Sequence, residues 1–377
     1  MSDKMIPLAS PNISDAAIDS VVSVLRTGML VQGTVVKELE KNISQYLNIS
    51  HCSAVSSGTS SLHLSLLALG VGVGDEVIIP ALSYVATANV VELIGAKPIF
   101  VDVKKDFTID PKLIEEQITE KTKAIIPVHE FGLSVDMDPI IDLAKKHNFF
   151  VIEDAACALG STYKDKLCGT IGDFGSFSLH PRKAITSGEG GLITTSSQEL
   201  DRKIRTLRNH GIQPDSYPMN FVEAGFNYRM TEFQAALVNA QLELLSGLIE
   251  TRNELAKIYF NKIDTNNCRL PIVPEYAQTN WQTFHIVLQS EEQRNELRDY
   301  LMTNRIQSNY GAQCIPEMTF YKNKYDLDSA SKFPNSYEAY IQGLAIPLYE
   351  KLTVENINYI SDCINDFLKK WRIKQYS

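Results

Sequence analysis

Two residues in one tract of the chain, Asp154 and Lys183, carry the types and placement that could do chemistry together. The tract, residues 149–195, reads FFVIEDAACALGSTYKDKLCGTIGDFGSFSLHPRKAITSGEGGLITT. Asp154 closes an apolar run, and Lys183 falls between a strand-like segment and a glycine-rich turn. An amine so placed can hold an aldehyde as a Schiff base, and an acid so placed can keep a pyridine nitrogen protonated. That is the chemistry of pyridoxal phosphate, in which a protonated ring draws electrons from the reacting carbon. Either residue alone says little, because a lone lysine is usually a solvated charge and a strand-end acid often caps a loop. Their company makes the signal.

Other short motifs add to it. Ser56, Ser57, Gly58, Thr59 and Ser60 precede a helical pattern that starts near Ser61. Free backbone N–H groups and small hydroxyls at a helix start suit a phosphate, although such residues also serve as plain N-caps. Tyr84, at a strand-to-helix turn in ALSYVAT, can stack on a flat cofactor or pack in the core. The lysines at 104, 105, 145, 146, 164 and 166 read as solvated charges. The seven histidines show no HExxH or HxH spacing, so no metal site is expected.

The elements that must position these residues follow from periodicity. Apolar runs at 76–79, 98–103, 124–128, 149–153, 175–179 and 191–194 read as strands. Helical patterns at 60–69, 86–94, 111–117 and 139–147 lie between several of them. This alternation predicts a mostly parallel sheet covered on both faces, with ligands at the carboxyl ends of its strands. Residues 230–262 read as one long helix, weakened or broken at Gly247, that bridges to a C-terminal unit. There a strand at 283–288 and helices at 291–303 and 354–371 follow. A large domain over 1–262 and a smaller one over 263–377 are expected.

Composition narrows the class. The chain has 377 residues, 44% hydrophobic, with a net charge of −9 and no block of basic residues, which argues against a nucleic-acid or anionic-membrane partner. Six scattered cysteines without CxxC spacing suit a reducing compartment. MSDKMIPLASPN lacks the apolar core of a signal peptide, and no apolar run is long enough to span a bilayer. A cytoplasmic protein is the expectation.

Taken together, the motifs resemble the DegT/DnrJ/EryC1/StrS family of sugar aminotransferases. The resemblance runs from IPLASPNI to LAIPLYEKLT through SSGTSSL, GVGDEVIIPALSYVATAN, GAKPIFVDV, KAIIPVHEFG, VIEDAACALG, SFSLHPRKAITSGEGG, LRNHG and FNYRMTEFQAAL. It implies a fold-type I, aspartate aminotransferase-like architecture: a three-layer α/β/α large domain with a smaller C-terminal α+β domain. By position it implies Lys183 as the lysine that carries pyridoxal 5'-phosphate and Asp154 as the partner of its ring nitrogen. Tyr84 would lie over the ring, and Gly58, Thr59, Ser60 and Ser178 would surround the phosphate. Asn227 would reach the phosphate bound by a neighbouring subunit, which implies a homodimer with shared sites. Arg229 and Tyr310 are expected on the substrate side.

Two departures stand out. Relatives often have Gln where this chain has Cys157, a position that contacts the cofactor's phenolic oxygen; one lost hydrogen bond is worth roughly 0.5–1.5 kcal/mol. Relatives often have Leu-Tyr-Gly after PVH, where this chain has Glu130-Phe131-Gly132. Lys183 is retained, whereas the sugar dehydratases of the family have histidine there. The reading is an aminotransferase that moves nitrogen from L-glutamate to a nucleotide-linked keto-sugar, a 4-keto-6-deoxy hexose. A dehydratase, a 3-keto-sugar transaminase and a non-catalytic regulatory homologue are the alternatives.

Overall fold

The apolar runs assemble into one seven-stranded sheet. Its strands are β1 (His51–Val55), β2 (Glu76–Pro80), β3 (Lys97–Val101), β4 (Thr122–Ile125), β5 (Phe150–Asp154), β6 (Phe174–Ser178) and β7 (Gly191–Thr195). Their order across the sheet is β1-β7-β6-β5-β4-β2-β3. Neighbours pair in parallel from β3 to β6, and β7 alone runs antiparallel to both of its neighbours, β6 and β1. The computed structural model describes residues 4–375. The extreme ends of the two expected domains, residues 1–3 and 376–377, lie outside the described residues.

Near-continuous apolar strands mean that both faces are covered, and the packing follows their alternation. Val77 and Ile79 of β2 face one helix layer while Ile78 faces the other. The first layer is formed by α3 (Gly58–Ala68), α4 (Ala86–Leu93) and α6 (Gln198–Leu207). On the opposite face lie α2 (Thr34–Leu47), α5 (Met137–His147) and α7 (Glu232–Leu242), with α1 (Asp15–Thr27) packed on α7. Each fully buried aliphatic side chain contributes about 1.5–3 kcal/mol. The result is the three-layer α/β/α arrangement of fold-type I.

The single long helix expected over 230–262 is instead two. α7 ends at Leu242, and α8 (Leu245–Lys262) starts after a turn at Glu243 and Leu244. Gly247 sits inside α8 and does not break it. The break is tertiary in origin. Gln241, near the end of α7, bonds Thr186 through both its amide oxygen (3.1 Å) and its amide nitrogen (2.7 Å). Leu245 turns into the core beside α2 and α7, while Leu255, Ala256 and Tyr259 of α8 join a second core with the C-terminal elements. That core surrounds the antiparallel sheet β8 (Cys268–Arg269), β9 (Phe284–Leu288) and β10 (Gly343–Ile346), in the order β8-β9-β10. It is covered by α9 (Glu291–Thr303), α10 (Pro334–Gln342) and α11 (Val354–Gln375).

Strand β1 was not legible in the sequence, because HCSAV has too few large apolar residues to form a run. Tertiary contacts hold it. Glu40 of α2 accepts from the Ala54 N–H at 3.0 Å and from Arg208 at 2.5 Å and Arg205 at 2.7 Å. Arg208 also donates to the Ala54 carbonyl, and Arg205 to that of Cys52. These contacts cover an edge strand whose ladder groups would otherwise be open. Burial raises the Glu40 pKa, but Arg208 and Arg205 outweigh it and leave the carboxyl below its ordinary 4.5. Glu40→Gln should therefore destabilise the protein by roughly 3–5 kcal/mol at neutral pH. Because the depressed pKa contributes stability only while the group is ionised, the gap to wild type should narrow as pH falls below 4.5. Thermal unfolding of both proteins at pH 7 and pH 4 checks this; a gap that does not change with pH would argue against the charge pairing.

Candidate active site

Six chain segments end at one edge of the sheet, because the parallel strands all point the same way. Ser56 and Ser57 follow β1, Tyr84 lies beyond β2, Glu130 beyond β4, Asp154 ends β5 and Ser178 ends β6. Lys183 lies in the return from β6 to β7. They surround a cavity of about 390 Å³ lined by Gly58, Thr59, Tyr84, Asp154, Ser178 and Lys183 among others.

Asp154 is 5% exposed. Its Oδ2 accepts from the Thr87 hydroxyl at 2.9 Å and its Oδ1 from the Ala156 N–H at 3.2 Å. Burial raises its pKa, and Thr87, Ala156 and Lys183 only partly offset that. A buried carboxyl in this state favours a cationic partner. The strand beneath is fixed by Glu153, whose carboxylate accepts from Gly169 (2.8 Å), Ile171 (2.6 Å) and Gly172 (2.8 Å). His129 completes that set, 2.9 Å from the same carboxylate. Val135 donates its N–H to His129 Nδ1, so the ring proton sits on Nε2 and is donated to Glu153.

Lys183 is half-buried in a turn closed by its own N–H on the His180 carbonyl at 2.8 Å. Gln241 of α7 clamps the far side of this loop at Thr186. The Lys183 Nζ donates to Cys157 Sγ at 2.9 Å. Burial pushes the Cys157 thiol up, so this partner is neutral. The amine and the acid thus share one cavity, as the sequence led us to expect.

The other expected residues divide into two groups. Gly58 and Thr59 open α3 beside Ser178, and a Cβ on Gly58 would lie 2.9 Å from Ser178 Cβ, so only glycine permits this approach. The Gly58 and Thr59 N–H groups have no protein acceptor among the described residues, and they open into the cavity. Ser60 does not join them: its hydroxyl donates to the Ser57 carbonyl and accepts from the Ser57 N–H in a capping box. Tyr84 is 62% exposed and lines the cavity, so it is no core aromatic. Asn227, Arg229 and Tyr310 lie off the cavity lining in this single chain. Asn227 is exposed, Arg229 donates to Asn209 Oδ1 at 2.6 Å, and Tyr310 packs between Arg294 and Arg298. Asn309 and Gly311, which flank Tyr310, do line it.

Sequence reasoning missed three groups. Thr87 lies in the same segment as Tyr84 but carries no signal of its contact with Asp154. Glu130 was read only as a departure from the usual motif, yet it is buried in the cavity wall. Residues 313–314 pair antiparallel with 82–83, which stitches the C-terminal unit to the turn that holds Tyr84.

The donor set fits pyridoxal phosphate: vacant amides at a helix start for a phosphate, a buried acid for a cationic ring nitrogen, and an amine for an aldehyde. Comparison with known proteins agrees. The DegT/DnrJ/EryC1/StrS aminotransferase family model matches residues 11–365. The chain is 35% identical over 366 residues to a GDP-perosamine synthase of Escherichia coli O157:H7, covering 97% of this chain and 99% of that protein. It is 43% identical over 266 residues to a GDP-perosamine synthase of Caulobacter vibrioides, covering 70% of this chain and 71% of that protein. Among solved structures, the putative sugar aminotransferase Spr1654 from Streptococcus pneumoniae superposes with a TM-score of 0.94 at 31% identity, over 99% of this chain and 100% of that one. That protein has been solved in PMP, apo and PLP forms. The chain belongs to the DegT/DnrJ/EryC1/StrS aminotransferase family and is a pyridoxal phosphate-dependent nucleotide-sugar aminotransferase.

Proposed function

We propose that the protein moves an amino group from L-glutamate to a nucleotide-linked keto-sugar, a 4-keto-6-deoxy hexose, in amino-sugar biosynthesis. The observation that carries this reading is the Lys183 amine and the Asp154 carboxyl in one cavity beside the vacant N-terminus of α3. The names of the two GDP-perosamine synthases support an amino sugar carried on a nucleoside diphosphate, with GDP as the first carrier to try.

When bound, pyridoxal phosphate supplies an aldehyde that captures an amine and a ring that accepts the electron pair left by a departing proton. The residues of the chain do the rest. Asp154 would hold the ring nitrogen protonated, and Thr87 and the Ala156 N–H aim its carboxyl and favour the ionised form against its burial. Gly58, Thr59 and Ser178 would hold the phosphate, and the ring of Tyr84 would cover the heterocycle. Lys183 would carry the cofactor at its Nζ and, once the glutamate amine takes its place, its free amine would take up and give back the proton of the substrate carbon. Glutamate would leave as its 2-keto acid, and its nitrogen would end on the sugar carbonyl carbon, with Lys183 handling the proton there in the same way. Arg229 and Tyr310 serve the substrate side.

We further propose that two copies share their sites, with Asn227 reaching the phosphate in the neighbouring subunit. Its exposure outside the cavity of its own chain supports this. The cytoplasm is the proposed compartment; among the described residues no helix is long and apolar enough to cross a membrane.

Incubation of holoenzyme with 15N-glutamate and a panel of nucleotide keto-sugars tests the reaction directly. Label in the sugar product is the expected result; a deoxygenated sugar without label would replace transamination by dehydration. Lys183→Ala should lower turnover at least about 10³-fold and abolish the visible band of the lysine-bound cofactor; full activity in that variant would remove the mechanism. A random equal mixture of Lys183→Ala with Asn227→Ala should regain activity, up to about a quarter of wild type, because about half of the dimers are mixed and one of the two sites in each of those is intact. No recovery would mean unshared sites. Thr87→Val removes a bond that lowers the Asp154 pKa, so it should weaken cofactor binding about tenfold. The loss should grow as the pH falls toward the carboxylate range, because burial holds the Asp154 pKa above its ordinary 3.8 and losing Thr87 raises it further. Titration of the cofactor-free variant with pyridoxal phosphate, followed by absorbance, reads both effects.

A further inference from the structure

Glu130 is a second acid in the cavity that the mechanism above does not use. Its side chain is 7% exposed and lines the cavity together with Asp154, Cys157 and Lys183. No ion pair to it is found among the described residues. The local backbone fixes its place. Phe131 follows in the left-handed region (φ 57°, ψ 11°), a conformation that costs a non-glycine residue energy and persists only where the surroundings impose it. The surroundings are visible: the Phe131 ring stacks on His285 with centroids 4.5 Å apart. Gly132 comes next with φ 93°, and a Cβ there would lie 2.1 Å from Asn280 Oδ1.

The distribution of partners leaves one task open. Asp154 is directed at Thr87 and Ala156, and it serves the ring nitrogen. Among the described residues Lys183 has only the neutral thiol of Cys157 at hydrogen-bond distance, and a thiol cannot balance a cation. We propose that Glu130 supplies that balance and sets the protonation of the Lys183 nitrogen during the reaction. It is a positioning residue for charge, acting through Lys183, and its two states would match the lysine's two duties. With Glu130 ionised, a cationic Lys183 nitrogen is favoured; with Glu130 protonated, the nitrogen releases its proton more readily.

The electrostatics suit this. Burial raises the Glu130 pKa, the charge on Asp154 raises it further and Lys183 opposes both, leaving it at about 7. The titratable groups around it are Asp154 at the end of β5, Cys157 in the loop that follows and Lys183 beyond β6. Asp106 and His285 line a smaller cavity on its other side. Of these, Asp106 is paired with Lys104 at 2.8 Å. Burial drives the His285 pKa down to about 3, so that ring stays neutral.

The inference rests on Lys183 carrying the cofactor, and its test uses neither glutamate nor a sugar. Holoenzyme is titrated between pH 5 and pH 10 while the visible band is followed, since that band reports the proton on the nitrogen joining Lys183 to the cofactor. Glu130→Gln should lower the midpoint by about one pH unit, a tenfold change in proton affinity. Glu130→Asp, which keeps the charge, should restore most of the shift. Superimposable curves for wild type and Glu130→Gln would overturn the proposal. So would equal shifts in Gln and Asp, which would report packing and not charge. A band that survives in Lys183→Ala would instead remove the reading on which the proposal rests.

Discussion

One reversed strand keeps the chemistry together. The other six strands of the large sheet run the same way, and a parallel connection from β6 would have carried the chain across a helix layer and back to the far edge. Because β7 is antiparallel to β6, the chain returns directly, and residues 179–190 never leave the carboxyl edge. Lys183 lies in that return. Asp154 sits on the neighbouring strand, where it pairs with Ser176 in the ladder. Hydrogen-bond register therefore fixes where the return leaves and rejoins the sheet beside Asp154, and the Lys183 N–H on His180 and the Gln241 contacts to Thr186 hold the loop between. The glycines at the same edge serve the same end, since Gly58 lets the start of α3 close on Ser178.

Low dielectric then gives this edge its character. Glu153 and Asp154 are adjacent in the chain, yet alternation sends their side chains to opposite sides of the strand and to opposite fates. Glu153 is satisfied by three backbone N–H groups and His129, so its role is structural. Asp154 has one hydroxyl and one N–H, which is too little to offset its burial, and its pKa rises. A fully bonded buried carboxylate supports a fold; an under-bonded one attracts a cation. Glu130 is the same argument carried further, with no ion pair among the described residues and a pKa raised to about 7.

How far the residues could be read in advance depended on how local their signals were. The strands with apolar runs and most of the intervening helices were legible to within a few residues, because burial on both faces writes itself into composition. The expectation of one helix over 230–262 failed because no breaker marks the turn at Glu243 and Leu244. The turn comes from two cores drawing α7 and α8 in different directions. The helices α1 and α2 and strand β1 were not read, since HCSAV owes its place to Glu40, Arg205 and Arg208. Ser60 was read as a phosphate contact, but Ser57 engages it in a capping box, a choice between two hydrogen bonds that spacing cannot make.

By itself, the sequence determined the kind of protein this is: a doubly covered parallel sheet, an acid at a strand end, a lysine in a glycine-rich turn, and motifs in an order that names the family. Those features are local or periodic, so they survive in a one-dimensional string. Only the tertiary structure decided which groups face one another. It put the neutral Cys157 thiol on the Lys183 amine, the Thr87 hydroxyl on Asp154, and the unpaired Glu130 carboxyl in the same wall. It also left Asn227, Arg229 and Tyr310 outside the cavity of a single chain. Contacts of this sort depend on strand order, register and burial, and residues dozens of positions apart carry no mark of them until the sheet has formed.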